Sequence, residues 1–425
     1  MKLVIVADDL TGSSDSAVQF AALGLKTCVS LPGADLESLQ DLEVLVCDTE
    51  SRDIAMADAV NAVSEVTGRL KKLFPEASFY KKTDSTLRGH PGAETAAMLE
   101  RCGADFALFA PAFIKNGRTT VQGCQLLHGV KLEDTEMARI PKSPVSKSYI
   151  PDILGDESTL KSAVIPLEIL KKGKGAVSEA MQAALARGAK ILITDATSEE
   201  HLELAALCAA KLGRVLWCGS AGLARAIAPE FAQGGAKAEN AAPHAQNVLV
   251  LAGSISASTR AQTKALAEGA LTELFRVNPE AAVSDPEQAA EADARAIQGR
   301  KLRGTLTVSG AYEEQDVEKS AAAAKALGIS FFEAGERMAR YMAKAAKMLS
   351  GSADAFVLTG GDTAIHACRA MGAQVLEVLC EVEPGIPLTR IASGPQRGKY
   401  AVTKAGAFGT QEAFVKAVKL LQGKA

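Results

Sequence analysis

The sequence has little of what several common classes of protein require. Among its 425 residues there is one Trp, there are five His, and aromatic side chains make up 4%. The histidines are scattered and no H-E-x-x-H motif occurs, so a catalytic zinc site is not expected. The net charge is −3 and no block of Lys and Arg is present, which argues against nucleic acid as a partner. No apolar run approaches the roughly 18 residues of a membrane-spanning helix.

Cysteine is present, but not in the patterns of disulfide or metal sites. The eight cysteines form no C-x-x-C pair, and most lie in apolar stretches such as LVCDT and VLWCGSAG. This distribution is typical of reduced, buried thiols in a cytosolic protein. The opening residues, MKLVIVADD, include too few apolar side chains for the core of a secretory signal peptide. We therefore expect a cytoplasmic protein with no membrane partner.

Three fingerprint motifs of well-known enzyme classes are also missing. The sequence has no G-x-x-x-x-G-K-[ST] phosphate loop, no G-x-G-x-x-G dinucleotide turn and no G-x-S-x-G nucleophile elbow. Neither a Walker-type nucleotide site nor a dinucleotide-dependent dehydrogenase is therefore expected.

What the sequence does contain is a regular alternation of short apolar runs with helical patterns. Because the runs show little internal alternation, they are typical of parallel strands that are buried on both faces and joined by helices. Strands are predicted at residues 3–7, 25–31, 44–48, 77–82, 105–111, 162–167, 190–196 and 214–220, and then at 248–256, 271–278, 304–310 and 353–359. Helices are predicted at 54–74, 177–188, 258–269 and, as a pair, within 315–349.

The pattern is interrupted by FAQGGAKAENAAPHAQN, which is rich in Ala, Gly and Asn and has no periodicity. Such a composition is typical of a linker, and a chain of this length is too long for one ordinary core. We therefore predict an α/β protein of two α/β domains, with largely parallel sheets and an interdomain cleft. The predicted boundaries are residues 1–230, a linker at 231–247, and residues 248–425. Alanine-rich helix faces fit either a core or a subunit interface, so they do not exclude a homo-oligomer.

Two adjacent acids, Asp8 and Asp9, directly follow the first apolar run. In open α/β sheets, ligands bind beyond the carboxyl ends of the strands, and paired carboxylates there favour a cation, a bound hydroxyl or a proton. For either acid alone, a simple turn is the alternative. The next residues predict a helix with Ser13 or Ser14 as its N-cap and with Asp15 in its first turn, where an acid complements the helix dipole.

Cations and hydroxyls follow further strands. Arg52, after the strand at 44–48, suits capture of a carboxylate or phosphate, with a surface or interdomain salt bridge as the alternative. The strand at 77–82 leads into a polar set that suits polyols and anions, or else forms a charged loop. Its members are Lys81, Lys82, Thr83, Asp84, Ser85 and Arg88. A third polar segment, at 115–120, either contacts the substrate or braces its site.

Glycine-rich turns follow strands in the C-terminal half. In LTGGDT a strand ends at Thr359 and a helix begins, so amides at the helix N-terminus can bind phosphate oxygens. A plain turn with Asp362 as N-cap is the alternative. Similar turns occur in GSIS and in KAGAFG, the latter before a helix near Gln411. The residues of these turns are Gly253, Ser254, Ser256, Gly360, Gly361, Asp362, Thr363, Gly406 and Gly409.

Taken together, these segments resemble the four-carbon acid sugar kinase family. The resemblance rests on ADDLTGSSDSAVQF, KKTDSTLRGHPGAE, APAFIKNGRTTVQG and ARIPKSPVSKSYIPDIL, then on GSISAST, LTGGDT, EVEPGIPL and KAGAFG, in order along nearly the whole chain. It implies an ATP-dependent kinase acting on the 4-hydroxyl of D-threonate, D-erythronate or 3-oxo-tetronate. The acid sugar is then expected in the N-terminal domain and the nucleotide in the C-terminal domain. The opening segment looks more like the D-threonate kinases, because Leu10, Ser13 and Ser14 depart from the A-D-D-F-T-G-A form typical of 3-oxo-tetronate kinases.

The resemblance also assigns site residues. Those that match its substrate motifs are Asp9, Arg52, Lys82, Thr83, Asp84 and Ser85, and those that match its nucleotide motifs are Ser254, Ser256, Gly360, Gly361, Asp362, Thr363 and Gly406. We expect Asp9 to orient the substrate hydroxyls, and Arg52 and Lys82 to bind the C1 carboxylate. Asp84 is expected nearest the attacking 4-hydroxyl, with Asp9 as its competitor. ATP and Mg²⁺ are the expected cofactors, with no protein ligands assigned to the metal, and closure about the linker is expected to assemble the site.

Two other classes of function fit parts of the pattern. A regulatory protein that binds a sugar acid without chemistry would use the first set of residues and leave the glycine turns idle. An α/β isomerase or aldolase would act without ATP, through a Schiff base on Lys81 or Lys82. Release of ADP from ATP in the presence of four-carbon acids distinguishes the kinase from both.

Overall fold

The computed structural model describes residues 1–140, 142–232, 243–269, 271–299 and 304–424. The chain divides into two compact units, Met1–Ala238 and Glu239–Ala425, here the first unit and the second unit. The predicted linker at 231–247 lies mostly outside the described residues. Both units combine helices with a largely parallel sheet, which confirms the predicted α/β class.

The first unit is built on a parallel sheet whose strands coincide with the predicted apolar runs. The strands of this sheet and of a smaller one are β1 (Leu3–Ala7), β2 (Thr27–Ser30), β3 (Val44–Asp48), β4 (Ser78–Lys82), β5 (Phe106–Ala110), β6 (Arg118–Val121), β7 (Cys124–Leu127), β8 (Val130–Lys131), β9 (Ser162–Ile165), β10 (Ile191–Thr194) and β11 (Val215–Gly219). The large sheet has the order β2-β3-β1-β4-β11-β5-β10-β9, and its neighbouring strands are all parallel. Its central strands are fully buried, as expected for a sheet covered on both faces.

Helices of the first unit pack in two groups, one for each face of the sheet. They are α1 (Leu10–Ala21), α2 (Met56–Leu73), α3 (Pro91–Cys102), α4 (Ile150–Glu157), α5 (Leu167–Leu170), α6 (Lys174–Ala186), α7 (Glu199–Ala209) and α8 (Ala221–Phe231). Along one face α2, α3 and α4 contact each other in turn, and along the other the contacts run α1, α8, α7, α6 and α5. This is the layered arrangement that alternating strands and helices predict.

The register of the central strands brings polar residues together at one edge of the sheet. Ala7 at the end of β1 pairs with Asp48 in β3 and with Lys82 in β4. Asp8 and Asp9 follow at the same level. Because parallel strands all end at the same edge, these residues converge although they are far apart in the sequence.

The small antiparallel sheet β6-β7-β8 is not predicted from the sequence. Its strands have two to four residues, and sequences such as RTTV form no apolar run. Asp195, just after β10, fixes the turn between β6 and β7 by accepting hydrogen bonds from the N–H groups of Gln122 (2.7 Å) and Gly123 (2.8 Å). This contact ties the small sheet to the carboxyl edge of the large one.

The second unit has a mixed sheet. Its strands are β12 (Val248–Ala252), β13 (Glu273–Arg276), β14 (Thr305–Ser309), β15 (Ala355–Thr359), β16 (Val375–Glu383), β17 (Ile386–Ile391) and β18 (Tyr400–Lys404). The order is β13-β14-β12-β15-β18-β17-β16; the first five strands are parallel, and β17 pairs antiparallel with both β18 and β16. The four parallel strands β12–β15 were predicted as apolar runs, whereas β16–β18 were not.

Helices of the second unit include the predicted pair within 315–349. They are α9 (Ala257–Glu268), α10 (Pro279–Ser284), α11 (Pro286–Gln298), α12 (Glu314–Ala326), α13 (Phe331–Leu349), α14 (Gly361–Ala370) and α15 (Ala413–Leu421). A buried cluster between the sheet and α9 and α15, which includes Leu266, Phe414 and Val418, forms part of the core. Among the helices that the structure describes, none combines the length and hydropathy needed to cross a bilayer.

Candidate active site

Asp8 and Asp9, after β1, share one guanidinium. Arg52, in the loop after β3, donates to both oxygens of Asp8 at 2.9 Å and to both oxygens of Asp9, one of them at 2.6 Å. Asp8 and Arg52 are buried, whereas the Asp9 side chain is 27% exposed. Burial alone would raise the pKa of Asp8, but Arg52, Lys81 and Lys82 outweigh it and hold that pKa below its ordinary value. The two acids tolerate each other because a single arginine bridges them.

Asp9 also begins helix α1. Its Oδ1 accepts a hydrogen bond from the N–H of Gly12 at 2.7 Å, which makes Asp9 the N-cap. The predicted start, with Ser13 or Ser14 as N-cap and Asp15 in the first turn, is wrong. Ser13 instead donates to the carbonyl of Asp9 at 2.9 Å. The helix begins one turn earlier because a carboxylate directly after the strand caps its first amides, so that no intervening loop is needed.

Lys82, the last residue of β4, lies beside this cluster. Its Nζ donates to the carbonyl of Thr83 at 2.7 Å, and no carboxylate of the described residues lies within 4.0 Å of it. A methyl group on Gly12 would lie 2.6 Å from Oδ1 of Asp9 and 3.0 Å from Nζ of Lys82. Thr83 Oγ1 is buried with no hydrogen-bond partner in the described part of the chain. A buried ammonium without a carboxylate partner, beside a buried hydroxyl without a hydrogen-bond partner in the described residues, marks a place for a polar ligand.

Lys81 has a different role from Lys82, because successive side chains of a strand point to opposite faces of the sheet. It is completely buried and pairs with Glu94 of α3 at 2.8 Å. Glu94 also accepts a hydrogen bond from Ser51 at 2.5 Å. Lys81 therefore joins β4, α3 and the loop that carries Arg52. A fully buried, ion-paired amine is a poor Schiff-base nucleophile, which argues against the aldolase alternative at this residue.

Asp84 is ion-paired within its own loop. Arg88 donates to its Oδ2 at 2.7 Å and to its Oδ1 at 3.1 Å, and the Thr86 hydroxyl donates to Oδ2. Burial alone would raise the pKa of Asp84, but Arg88 and Arg52 outweigh it and place this pKa well below its ordinary value. Asp84 is therefore ionised at physiological pH and held in a fixed orientation.

In the segment at 115–120, Thr120 braces a neighbouring loop, whereas Arg118 is accessible to a ligand. Thr120 donates to Gln125 at 2.6 Å, and Gln125 in turn donates to the carbonyl of Ser85 at 2.7 Å, which braces the loop after β4. Arg118 is a half-buried cation whose Nε has no partner among the described residues. Burial lowers the pKa of Arg118, and the nearby charge of Asp84 raises it. Arg118 is thus a second cation, besides Lys82, that is available to an anionic ligand.

Asp48, at the end of β3, is a buried carboxyl group that was not selected from the sequence. Its Oδ1 accepts from the N–H of Glu50 at 3.0 Å, whereas its Oδ2 has no partner in the described part of the chain. Burial and the charge of Asp9 raise the pKa of Asp48 well above its ordinary value. The sequence shows Asp48 only as a further acid at a strand end. The pKa of Asp48 is raised whereas that of Asp8 is lowered, because Arg52 pairs with Asp8 and Asp9 but not with Asp48.

In the second unit, residues of the glycine turns converge on the carbonyl of Gly406. Ser256 caps α9 by accepting from the N–H of Thr259 at 3.1 Å. The hydroxyls of Ser256 and Thr259 donate to the Gly406 carbonyl at 2.6 and 2.9 Å. A methyl group on Gly406 would collide with Oγ of Ser254. The structure therefore brings together Ser254, Ser256 and Gly406, which the resemblance assigns to nucleotide binding. Only glycine fits at position 406, the centre of this group.

The Gly360 turn lies against Ser254, one of the residues that surround Gly406. Gly360 has a φ of +101° and is the N-cap of α14, so the alternative with Asp362 as the cap is wrong. The left-handed conformation, which glycine adopts without strain, already ends the strand there. A methyl group on Gly360 would lie 3.2 Å from Oγ1 of Thr363 and 3.5 Å from Cβ of Ser254. Gly361 and Asp362 are exposed in the first turn of the helix, where backbone N–H groups have no intrahelical partner.

Lys404, the last residue of β18, is a buried cation at this place that was not selected from the sequence. Its Nζ donates to the Gly406 carbonyl at 2.9 Å and to Oγ1 of Thr359 at 3.2 Å, and it lies 5.6 Å from the ring centre of Phe414. Burial lowers the pKa of Lys404 to about 8. Its only signal in the sequence is the lysine that opens KAGAFG, which is indistinguishable there from a surface lysine.

Comparison with known proteins decides between the classes of function that the residues left open. A family model described as a sugar-binding N-terminal domain matches residues 3–227, and one described as a nucleotide-binding C-terminal domain matches residues 249–414. A D-erythronate kinase of Heliobacterium modesticaldum is 32% identical over 99% of this chain and 97% of its own length. The chain belongs to the four-carbon acid sugar kinase family.

Other members of the four-carbon acid sugar kinase family are similar over the same extent. A D-threonate kinase of Cupriavidus necator is 33% identical over 97% of this chain and 96% of its own length. A 3-oxo-tetronate kinase of Pseudomonas savastanoi pv. phaseolicola is 30% identical over 99% and 97%. The crystal structure of a Salmonella typhimurium LT2 protein has the same fold, with a TM-score of 0.84 and 24% identity over 98% of both chains. This protein is therefore an ATP-using phosphotransferase that acts on an acid sugar.

Proposed function

We propose that this four-carbon acid sugar kinase transfers the γ-phosphoryl group of ATP to the 4-hydroxyl of D-threonate, giving 4-phospho-D-threonate. The observation that carries the proposal is the charge arrangement after β1 and β4. There the carboxylates of Asp9 and Asp84 are held by arginines, while Lys82 and Arg118 have no carboxylate within 4.0 Å in the described residues. Fixed carboxylates accept hydrogen bonds from hydroxyl groups, and unpaired cations attract a carboxylate. A hydroxylated acid satisfies both.

In the first unit, the residues divide between binding and chemistry. Lys82, assisted by Arg118, binds the C1 carboxylate, and Thr83 and Ser85 lie in the loop that contacts the hydroxyls. Arg52 acts mainly by orienting Asp8 and Asp9, since three of its nitrogens already donate to these two acids. Asp9 orients the substrate, and Asp84 lies nearest the attacking hydroxyl.

The second unit is proposed to hold the nucleotide, in keeping with the description of the family model that it matches. Ser254, Ser256 and Thr363 surround the Gly406 and Gly360 turns, where an added methyl group would meet neighbouring side chains. Such side-chain-free turns let backbone amides approach phosphate oxygens closely. Mg²⁺ is proposed to accompany the phosphates, as the resemblance to ATP-dependent kinases implies. When bound, Mg²⁺ would neutralise charge on the phosphates.

The proposed reaction needs positioning more than strong base catalysis. The oxygen of the 4-hydroxyl forms a bond to the γ-phosphorus, the bond from that phosphorus to the bridging oxygen breaks, and ADP leaves. The hydroxyl proton passes to Asp84. A carboxylate with a low pKa is a weak base, but phosphoryl transfer has a loose transition state in which the nucleophile gives up its proton late, so a weak base is sufficient.

The choice of D-threonate rests on the opening motif. Relatives named for D-erythronate, D-threonate and 3-oxo-tetronate are 32%, 33% and 30% identical, which by itself does not separate the three acids. Leu10, Ser13 and Ser14 depart from the form typical of 3-oxo-tetronate kinases. Ser13 and Ser14 are buried in α1, the helix that Asp9 caps, and we propose that they influence how the 2- and 3-positions of the acid are bound.

The test is an ADP-release assay with ATP, Mg²⁺ and a panel of four-carbon acids that includes D-threonate, D-erythronate and 3-oxo-tetronate. We expect the highest kcat/KM with D-threonate, and a product that carries phosphate on O4 by ³¹P and ¹H NMR. A higher kcat/KM with another four-carbon acid would overturn the substrate assignment alone. No ADP release with any of them would overturn the proposed function.

Loss of either carboxylate tests the residue roles. Asp84→Asn and Asp9→Asn are each expected to lower kcat by about 10²-fold or more, as for lost acid–base groups. ATP affinity, measured by calorimetry, should stay nearly unchanged. Asp105→Asn is the matched control, because Asp105 precedes β5 at the opposite edge of the same sheet and its ion pair among the described residues is with exposed Arg214. Normal turnover of both site variants would remove the role assignment.

A further inference from the structure

We infer that Lys404 is a positioning residue for the nucleotide phosphates: it holds the Gly406 carbonyl so that the amide of Ala407 faces the ligand, and it supplies the positive charge beneath that amide. The inference rests on the proposed placement of the nucleotide in the second unit. It concerns a residue that neither the sequence motifs nor the family resemblance assigned.

The carbonyl oxygen of Gly406 accepts hydrogen bonds from more donors than is usual. Ser256, Thr259 and Lys404 all donate to the oxygen of Gly406, at 2.6, 2.9 and 2.9 Å. A carbonyl oxygen has two lone pairs and is normally satisfied by one or two donors. Three donors, one of them charged, fix the direction of this peptide group and polarise it.

The geometry of the peptide bond then fixes the direction of the Ala407 amide. A trans peptide points its N–H opposite to its C=O, so inward anchoring of the Gly406 carbonyl turns the N–H of Ala407 outward. Ala407 is exposed, and its N–H forms no hydrogen bond within the residues that the structure describes. A polarised, outward amide next to the Gly360 turn is a donor for a phosphate oxygen.

The positive charge of Lys404 is not compensated by a neighbouring carboxylate of the described residues. Lys404 is 3% exposed, and no ion pair within 4.0 Å joins its Nζ to a carboxylate of the described residues. Several charged or titratable groups lie on the elements packed around β18. They are Arg390 of β17, Asp362, His366 and Arg369 of α14, and Lys416 and Lys419 of α15. Arg390 is paired with Glu377, and Lys416 with Glu383. A buried ammonium without an anion is stabilised when an anion binds nearby.

The charge of Lys404 predicts that binding of the nucleotide is coupled to uptake of a proton. Because burial lowers the pKa of Lys404 to about 8, a large share of the free enzyme has lost this proton at pH 9. Bound phosphates favour the ammonium form, so binding of ADP must take up a proton at alkaline pH. A lysine that only packs against its neighbours would not couple its proton to the nucleotide.

The experiment is calorimetric titration of the full-length protein with ADP and excess Mg²⁺ at pH 7.5 and 9.0. For the wild type we expect Kd to rise about tenfold between the two pH values, as for one titrating group. Two buffers of different ionisation enthalpy at pH 8.5 should show uptake of about half a proton or more per ADP. Lys404→Met should raise Kd about tenfold or more at pH 7.5 and remove most of the pH dependence.

Lys399→Met is the matched control. Lys399 directly precedes β18, at the opposite end of the strand from Lys404; it donates to the carbonyl of Ser350 at 2.7 Å, lies over the ring of Phe356 and has a pKa lowered by burial. Its loss removes the same charge from the other edge of the sheet and should leave Kd and its pH dependence as in the wild type. A thermal unfolding profile like that of the wild type shows that both units of the Lys404→Met protein are folded.

Two results would overturn the inference. One is a Kd of Lys404→Met within twofold of the wild type, or the same pH dependence in both proteins. The other is the absence of proton uptake by the wild type, which decides the matter even if the variant does not fold. Failure of the proposed function looks different, since the wild type itself would then release no ADP with any four-carbon acid.

Discussion

At the scale of single residues, Arg52 explains why two aspartates stand side by side after β1. Its guanidinium donates to both of them, and Asp9 also caps α1. The pair and Arg52 therefore form a rigid group with one negative charge in excess, and beside it lies Lys82, which pairs with no carboxylate of the described residues. Residue types at strand ends were enough to select this region from the sequence.

Pairings between side chains were not predictable in the same way. Arg52 was expected to bind the substrate carboxylate, and its loop gives no sign that β1 supplies two acids to it. Lys81 and Lys82 look alike in the sequence, yet one is ion-paired and the other is not. Which cation is paired depends on strand register and on the facing helix, and both arise only when the chain folds.

Gly12 offers a test of the close approach between Asp9 and Lys82. Gly12→Ala places a methyl group 2.6 Å from Oδ1 of Asp9 and 3.0 Å from Nζ of Lys82. We expect KM for the acid substrate to rise about tenfold, equivalent to about 1.4 kcal/mol of lost binding, with little change in KM for ATP. Gly68→Ala is the control, because its added methyl group meets no atom within 4 Å. Equal KM values in both variants would contradict the account.

Asp48 offers a test of stability against pH. Folding raises the pKa of the Asp48 carboxyl group. Such a group contributes its full stabilisation below the pKa that it has in the unfolded chain, about 3.9, and this stabilisation is lost as the pH rises toward the pKa of the folded state. Asp48→Asn keeps the acceptor for the N–H of Glu50 and cannot ionise. Thermal unfolding should therefore show a gain in Tm that is small at pH 4 and larger at pH 8. A gain that shrinks with rising pH would show that Asp48 is ionised in the folded protein.

At the scale of elements, the parallel strands other than β18 were predictable, and the antiparallel strands were not. The eight strands of the large sheet in the first unit lie within the predicted runs to two residues at either end, because most of them are fully buried and full burial demands continuous apolar sequence. Strand β16 is not buried along its whole length, since Cys380 and Glu381 are exposed while its first residues are buried. Helix α1 was predicted too late because Ser13 or Ser14, rather than Asp9, was expected to cap it.

The ion pair between Lys81 and Glu94 tests how β4 and α3 are held together. Lys81→Met leaves the Glu94 carboxylate buried without its partner, and breaking such a pair costs about 3–5 kcal/mol in free energy of unfolding. Lys81→Met combined with Glu94→Gln removes both charges and should recover a large part of the loss. Urea unfolding measures both. The exposed pair of Lys147 and Asp156 is the control, for which Lys147→Met should cost at most about 1 kcal/mol. A loss that small for Lys81→Met would contradict the assigned role.

At the scale of the whole molecule, the protein consists of two α/β units, each with polar residues gathered after the carboxyl ends of its parallel strands. In the first unit these are carboxylates and cations, and in the second they are glycine turns, hydroxyls and Lys404. The α/β class follows from the sequence because the hydrophobic pattern sets it. Lys404 does not follow, because burial of a lysine depends on the loop that folds over it.

One measurement tests the central claim most directly: a crystal structure of the enzyme with D-threonate and a non-hydrolysable ATP analogue. The account predicts the acid in the first unit, with its carboxylate on Lys82 and a hydroxyl on Asp84, and the analogue in the second unit, with phosphate oxygens on the amides of the Gly360 turn and of Ala407. Both ligands in the same unit, or a Gly360 turn that makes no contact with the nucleotide, would contradict it.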